Sequence, residues 1–182
     1  MLATGLALAF TSALMLASSL SLSACSDASS TTAGSTSPGD GSGRGTVVRV
    51  VDGDTLVVSI GGVEQRVRLI GMDTPETKKP DTPVQCYGPE ASERTTELLP
   101  AGSGIRLERD AELNDKYGRL LAYVYKDGET VSINEQLLAD GDARILRIPP
   151  NTAYASHFAS VARTAEAAGR GLWTACPATS GK

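Results

Sequence analysis

The chain has 182 residues, carries a formal net charge of −4, and is 41% hydrophobic and 21% charged. These values are ordinary for a globular protein and are sufficient for one domain with a sizeable core. An acidic balance argues against a protein that grips nucleic acid through a broad basic face. It leaves open an enzyme that holds one or two phosphate groups with local arginines.

The N-terminal segment differs from the rest of the chain. Met1 to Ala24 contains no charged side chain, and Leu, Ala and Ser dominate it. An apolar segment that ends in small residues is typical of a secretory signal. Its end, Leu22-Ser23-Ala24-Cys25, resembles a bacterial lipobox. We therefore expect residues 1–25 to be a signal peptide with Cys25 lipidated, and the domain to lie outside the cytoplasm, membrane-anchored or secreted. The alternative is an uncleaved transmembrane anchor.

Residues 26–45 are mostly Ser, Thr, Gly, Asp and Pro, and they offer no apolar surface to bury. This composition predicts a disordered linker. The folded domain is expected to span residues 46–176, with a flexible tail over residues 177–182.

Within this domain, β-branched runs and turn residues predict five strands, and helical spacing with caps predicts three helices. The strands are expected at Thr46–Val51, Thr55–Ile60, Val63–Ile70, Ile105–Arg109 and Arg119–Tyr125, and the helices at about 88–99, Ser132–Ala139 and Thr152–Ala168. Short strands with helices inserted between and after them suit an α+β fold around a five-stranded OB-type barrel.

Three cysteines occur. If Cys25 carries lipid, Cys86 and Cys176 remain as a pair, which in an exported protein indicates a disulfide. Two free thiols or a metal site are the alternatives, although the only histidine, His157, lies far from both cysteines in the sequence.

Five short motifs carry the chemically informative residues. They read Asp52-Gly53-Asp54-Thr55, Arg68, Asp73-Thr74-Pro75-Glu76, Tyr87-Gly88-Pro89-Glu90-Ala91 and Asp115-Lys116-Tyr117-Gly118-Arg119. Together they supply oxygen ligands for a hard cation, a carboxylate that could act as a base, and guanidinium donors for a phosphoryl group. These are the groups that hydrolysis of a phosphodiester requires.

Taken in order, these motifs and the Gly-Leu-Trp near the C-terminus resemble the staphylococcal nuclease (thermonuclease) family, from about Thr46 to Trp173. The resemblance implies a five-stranded OB barrel with three helices. It also implies calcium-dependent hydrolysis of DNA, RNA or both that leaves 3′-phosphate ends.

The resemblance assigns roles to particular residues. Asp54, Asp73 and the backbone carbonyl of Thr74 match the calcium ligands, and oxygen ligands on turns suit Ca²⁺. Glu76 matches the catalytic glutamate, as general base or as positioner of the attacking water. Arg68 and Arg119 match the arginine pair that stabilises the phosphoryl transition state.

Lys116 and Tyr117 match residues that contact the terminal phosphate of a bound nucleotide. Tyrosines that pack on the base in the family have no counterpart here, where residues 145–150 contain no aromatic side chain and Arg147 is the candidate substitute. Arg66 shares strand parity with Arg68 and has no family role, so it serves as a control.

Residue by residue, simpler interpretations exist. Asp54 could be a hairpin aspartate, Asp73 a helix N-cap, and Arg119 one half of a surface ion pair with Asp115. For the whole chain, the alternative is a catalytically weak OB-fold module of the cell envelope that binds nucleic acid or protein. Nothing in the sequence indicates more than a monomer.

Overall fold

The computed structural model describes residues 42–78 and 80–176. The strands are β1 Ser42–Asp52, β2 Thr55–Ile60, β3 Val63–Leu69, β4 Met72–Asp73, β5 Gly104–Glu108, β6 Leu120–Lys126 and β7 Arg144–Ile145. The helices are α1 Gly88–Leu98, α2 Ile133–Asp140, α3 Ala155–Ala167 and α4 Leu172–Ala175. The predicted signal peptide, the lipidation at Cys25, most of the predicted linker and the tail over residues 177–182 lie outside the described residues.

Five strands close into a barrel in the order β1-β2-β3-β6-β5. The first three form an antiparallel meander, and the barrel closes through a parallel pairing of β3 with β6 and an antiparallel pairing of β5 with β1. The α+β class and the five-stranded barrel predicted from the sequence are thus confirmed.

Local chemistry explains why these segments form these elements. Thr55 to Val58 of β2 are all buried, as expected for a β-branched run that crosses a closed barrel. Gly61 and Gly62 join β2 to β3 with φ values of 58° and 84°, a turn that side chains with a Cβ seldom adopt. In α2, the Ser132 side chain accepts a hydrogen bond from the Glu135 N–H at 3.1 Å, and Gly141 ends the helix at φ 82°.

The linker prediction is wrong at its C-terminal end. Ser42 to Gly45 form the first part of β1 and pair with β5, from Glu108 to Ile105. A Cβ on Gly45 would lie 2.5 Å from Cγ1 of Val58, so the small residue permits a close approach of strands that its composition does not reveal. Arg44 also forms an ion pair with Asp127 at 2.9 Å.

Three further elements, β4, β7 and α4, were not predicted. β4 and β7 form a small two-stranded sheet outside the barrel, in which Met72 pairs with Ile145 and Asp73 with Arg144. The one-turn helix α4 follows α3 and is bound to the end of α2 by the Leu172 N–H, which donates to the Gly141 carbonyl at 2.9 Å. The small sheet matters for function because it fixes Asp73 against the segment that follows α2.

A fully buried asparagine connects α2 to the point where the parallel strands separate. Asn134 donates from Nδ2 to the Ile70 carbonyl at 2.8 Å and accepts the Val124 N–H on Oδ1 at 2.9 Å. Buried amides are stable only when such bonds are made. Asn134 thereby sets the position at which the chain leaves β3 toward Gly71 and Asp73.

The predicted Cys86–Cys176 disulfide is present in the structure, with 90 residues of sequence separation. It joins the loop before α1 to the end of α4. Within the described residues, no helix combines the length and apolar character needed to cross a membrane.

A buried carboxyl group follows the end of α2. Asp142 is 4% exposed, and its Oδ2 has no hydrogen-bond partner among the described residues. Burial, helped by the nearby Asp140 charge, raises the pKa of Asp142 from 3.8 to about 6, against the opposing effects of Arg94 and a hydrogen bond with Tyr87. The charged form of this side chain therefore destabilises the folded protein.

We expect Asp142→Asn to stabilise the protein at pH 8 and to have little effect at pH 4. The folded protein binds the Asp142 proton more tightly than the unfolded chain does. The stability that protonated Asp142 contributes is therefore fully present below about pH 4 and is lost as the pH rises through about 6. After allowance for solvent screening, the gain at pH 8 should be roughly 1–3 kcal/mol. Urea unfolding at both pH values measures it. The exposed Glu129→Gln is the control, and an equal effect of Asp142→Asn at both pH values would contradict the prediction.

Reduction of the disulfide should lower the free energy of unfolding. For a closed loop of this length, chain entropy alone gives a loss of about 4–5 kcal/mol. Thermal melts with and without reductant measure the loss, and the Cys86→Ser/Cys176→Ser double variant should melt at the lower temperature in both conditions. A wild-type melt that reductant leaves unchanged would count against this role of the bridge.

Candidate active site

The most tightly paired charges of the described structure surround Arg68, near the end of β3. Its Nη1 forms an ion pair with Oδ2 of Asp54, and its Nη2 lies 2.5 Å from Oδ1 of Asp73. The Asp54 side chain is 5% exposed, whereas that of Asp73 is 54% exposed. One guanidinium group therefore links a buried carboxylate to a carboxylate at the surface.

Burial sets the electrostatics of this group. It raises the pKa of Asp54, and the Arg68 charge opposes that effect without cancelling it. For Arg68, burial alone would lower the pKa, but the Asp54 and Asp73 carboxylates outweigh it, so the pKa is raised and the guanidinium stays charged. The site thus holds a carboxylate that is costly to keep ionised without a cation beside it.

The turn that carries Asp54 is held from several directions. The Asp54 carbonyl accepts the Leu69 N–H at 2.9 Å, and its Oδ2 accepts the Thr74 N–H at 3.3 Å. Thr95 of α1 donates from Oγ1 to the Gly53 carbonyl at 2.7 Å. A Cβ on Gly53 would lie 2.7 Å from Oγ1 of Thr74, so only glycine allows the turn to pack this closely on the segment after β4.

A second carboxylate, Asp52, sits at the start of the same turn and contacts Glu76. The two side chains are hydrogen-bonded, and the Asp52 carboxylate also accepts bonds from Thr77 Oγ1 at 2.8 Å and Ser92 Oγ at 3.1 Å. Burial would raise the pKa of Asp52, but the bonds from Glu76 and Thr77 outweigh it and the pKa is lowered.

Asp115 organises the turn that presents Arg119. It accepts Arg119 Nε on Oδ2 at 2.6 Å and the backbone N–H groups of Tyr117 and Arg119 on Oδ1, each at 2.9 Å. Burial would raise the pKa of Asp115, yet these bonds lower it, so the carboxylate stays ionised. Arg119 therefore does form the ion pair with Asp115 that the simpler interpretation of the sequence foresaw, and this pair fixes its direction.

Arg68 and Arg119 line the same cavity, which has a volume of about 430 Å³. Asp115, Lys116 and Tyr117 also line it. The Lys116 ammonium group lies 5.1 Å from the centre of the Tyr117 ring, and Tyr117 is 72% exposed. Leu146 and Ile148, from the segment after β7, add apolar surface to the lining.

The structure thus brings most of the sequence-predicted residues into two adjoining groups. Asp54, Asp73 and Thr74 gather around Arg68, which also lines the cavity with Arg119, Lys116 and Tyr117. Glu76 forms the other group with Asp52, at the start of the β1–β2 turn. Sequence reasoning gave Asp52 no functional role, because an aspartate before glycine is a common turn residue. Its position two residues before Asp54, a predicted metal ligand, was the feature that could have indicated a role.

The residues present fit the calcium ion that the family resemblance implies. Asp54 and Asp73 offer carboxylate oxygens that already share one cationic group, and Thr74 Oγ1 is buried with no hydrogen-bond partner among the described residues. Such oxygen donors fit Ca²⁺. Over residues 42–78 and 80–176, three or more His, Cys, Asp or Glu side chains nowhere gather into a metal-binding group, so a cation here would complete its shell with carbonyl oxygens and water.

Comparison with known proteins identifies the family. The model of the family described as staphylococcal nuclease homologue matches residues 66–175. The thermonuclease of Staphylococcus hyicus is 43% identical over 128 residues, which cover 70% of this chain and 74% of the relative. The thermonuclease of Staphylococcus intermedius is 51% identical over 108 residues, with coverages of 59% and 62%. Endonuclease YncB of Bacillus subtilis is 44% identical over 131 residues, with coverages of 71% and 61%.

A closed five-stranded barrel that presents a carboxylate–arginine cluster beside a cavity is typical of a small OB-fold protein with a polar active site. Together with the match over residues 66–175, this means that the chain belongs to the staphylococcal nuclease family. The chain spans less than two thirds of the length of two of these three relatives.

Arg68→Ala should destabilise the protein strongly in the presence of a chelator, because it leaves Asp54 buried without its counter-charge. Breaking a buried pair in this way typically costs about 3–5 kcal/mol. Arg66→Ala, at an exposed position of the same strand, should change stability by no more than about 0.5 kcal/mol. Urea unfolding of both variants makes the comparison. Equal stabilities of the two variants would show that the Arg68–Asp54 ion pair does not stabilise the folded protein.

Proposed function

We propose that the protein is a calcium-dependent nuclease that hydrolyses phosphodiester bonds of DNA, RNA or both and leaves 3′-phosphate ends. The observation that carries this proposal is the pairing of two guanidinium groups, those of Arg68 and Arg119, on one cavity beside two carboxylates. Relatives named as thermonucleases and an endonuclease support it.

The two arginines are suited to bind the scissile phosphate. A guanidinium group forks onto two phosphate oxygens and offsets the charge that grows on them in the transition state. Asp115 holds Arg119 through Nε, which leaves the Nη groups for a phosphate. Arg68 contacts Asp54 and Asp73, so its position is fixed by the same carboxylates that are proposed to bind the metal.

Asp54, Asp73 and the carbonyl of Thr74 would hold calcium. When bound, the ion supplies positive charge that polarises a phosphoryl oxygen and lowers the pKa of a bound water. Glu76 accepts the proton of the attacking water, or positions that water. Glu76 Oε1 accepts the backbone N–H groups of Thr77 at 3.0 Å and of Lys78 at 2.8 Å, and these bonds hold the carboxylate in position.

Lys116 and Tyr117 line the cavity beside Arg119 and are suited to contact a phosphate next to the scissile one. Tyr117 and Ile148, 72% and 59% exposed, offer apolar surface to a base in place of the family's tyrosines. Arg147 lines a different surface of the molecule, so Ile148 is the better candidate for contact with the base.

We also propose that the protein acts outside the cytoplasm as a monomer held to the membrane by a lipidated Cys25. The Cys86–Cys176 disulfide supports an oxidising compartment, because such bonds are rare in the cytosol.

Glu76→Gln should reduce cleavage of single-stranded DNA by at least about 100-fold, since general-base catalysis typically contributes a factor of about 100 to 10,000. The assay compares the wild type with calcium, the wild type with a calcium chelator, and the variant with calcium. The matched control is Glu64→Gln, at an exposed position of β3, which should cleave at the wild-type rate.

Cleavage that requires calcium and Glu76 but not Glu64 would support both the reaction and the assignment of the site. Absence of cleavage of DNA and RNA by folded wild-type protein would favour the catalytically weak binding module. Cleavage without calcium would overturn the proposed metal dependence alone.

A further inference from the structure

A second concave surface lies on the other side of the segment that borders the active-site cavity. We call it the basic groove, a depression of about 540 Å³ whose charged lining residues are Arg144, Arg147, Arg163 and Glu166. Trp173 and two alanines of α3 also line it. The proposed reaction does not use this surface, and Arg147, considered above as a substitute for the family's tyrosines, is the one groove residue that the family resemblance brought forward.

No carboxylate of the described residues forms an ion pair with any of the three arginines, although Glu166 shares the groove. The Arg144 guanidinium lies over the Trp173 ring at 4.2 Å, and Arg147 makes one long hydrogen bond, from Nη2 to the Ala155 carbonyl at 3.4 Å. The chain as a whole has a net charge of −4, so three clustered arginines without an ion-pair partner among the described residues make this surface positively charged, in contrast to the chain's acidic balance.

The groove is directly joined to the active site. Arg144 pairs through its backbone with Asp73, one of the proposed metal ligands, in the small β4–β7 sheet. The segment that follows alternates: Ile145 and Arg147 line the groove, whereas Leu146 and Ile148 line the cavity. Residues 144–148 are therefore a ridge with the active-site cavity on one side and the basic groove on the other.

A ligand that occupied both sides of this ridge would have to be a chain with repeated negative charges. Guanidinium groups bind phosphate oxygens in a forked geometry, and the planes of arginine and tryptophan also stack on bases. A duplex is rigid, whereas a single strand can bend over a ridge. Single-stranded nucleic acid also presents the bases that would stack on these planes.

We propose that the basic groove binds the phosphate backbone of the substrate strand beyond the scissile phosphodiester, so that it forms an extended subsite for single-stranded polynucleotide. The inference rests on the proposed nuclease function for the path of the strand. It would allow an acidic protein without the family's stacking tyrosines to bind long substrates, and it predicts a preference for longer strands over short ones.

The test measures, by fluorescence anisotropy with calcium present, the binding of fluorescein-labelled oligothymidylates of two lengths. Strands of about 3 and about 12 nucleotides are compared, because a single-strand site typically covers a length between or near these values. Glu76→Gln in the full chain is the parent, so that bound strands are not cut. Arg147→Gln/Arg163→Gln is then introduced into it, because both side chains are exposed and their replacement should not disturb the fold. The control is Arg49→Gln/Arg66→Gln, which removes the same charge at exposed positions of the barrel.

We expect the parent to bind the longer strand at least about 10-fold more tightly than the shorter one, and the groove variant to abolish most of this gain while the control keeps it. The slope of log Kobs against log salt for the longer strand should become shallower by about 1.4 in the groove variant, at about 0.7 for each phosphate that the protein no longer neutralises. Arg147→Lys/Arg163→Lys should restore the slope.

A length-dependent gain that survives in the groove variant, or a parent without such a gain, would overturn the inference. The nuclease proposal is tested separately, by cleavage with the wild type. If the wild type cleaves but the groove variant still binds the longer strand more tightly, the nuclease proposal holds and the groove is not a subsite. If the groove variant loses the tighter binding of long strands but the wild type does not cleave, the groove would be supported as a binding site and the nuclease proposal would be overturned.

Discussion

The burial of one carboxylate, that of Asp54, constrains much of the molecule. Its side chain is 5% exposed and needs a cationic partner, because an unpaired charge in the interior is strongly destabilising. Arg68 meets this need from β3, and the Leu69 N–H of the same strand donates to the Asp54 carbonyl. The Thr74 N–H donates to the Asp54 side chain from the segment after β4. Three segments therefore meet at this charged cluster: the end of β3, the β4 segment and the β1–β2 turn. Arg68 also lines the cavity that Arg119 lines, so the cluster borders that cavity.

The β1–β2 turn also holds two carboxylates of contrasting character, two residues apart. Asp52 is rich in hydrogen bonds, and its pKa is lowered despite burial, whereas burial raises the pKa of Asp54. Gly53 lies between them against Thr74, and Thr95 fixes its carbonyl. A displacement of this turn would move the Glu76 contact and the Arg68 contact together. The proposed base and the proposed metal ligands are thus positioned by a single element, supported from behind by α1.

Much of the fold was predictable because local chemistry and the final environment agree. β-branched runs became buried strands, and Ser132, Pro89 and Gly141 sit at helix ends as their capping preferences indicate. The elements that were missed depend on distant contacts: the β4–β7 sheet consists of two-residue strands without any periodic pattern, and Ser42 to Gly45 form a strand because β5 lies beside them. The same holds for the site. Asp54, Arg68 and Asp73 lie in recognisable motifs, whereas the Asp52–Glu76 contact and the basic groove join residues that no motif connects.

The disulfide links residue 86 to residue 176 and so encloses Arg119, strands β5 and β6 and helices α1 to α4 in one covalent ring. A proteolytic cut in any loop between these cysteines would open the ring without releasing a fragment. The two pieces would stay tethered, and their reassembly would be intramolecular and independent of protein concentration. An enzyme built in this way can be nicked and still remain a single molecule, an advantage wherever proteases are abundant.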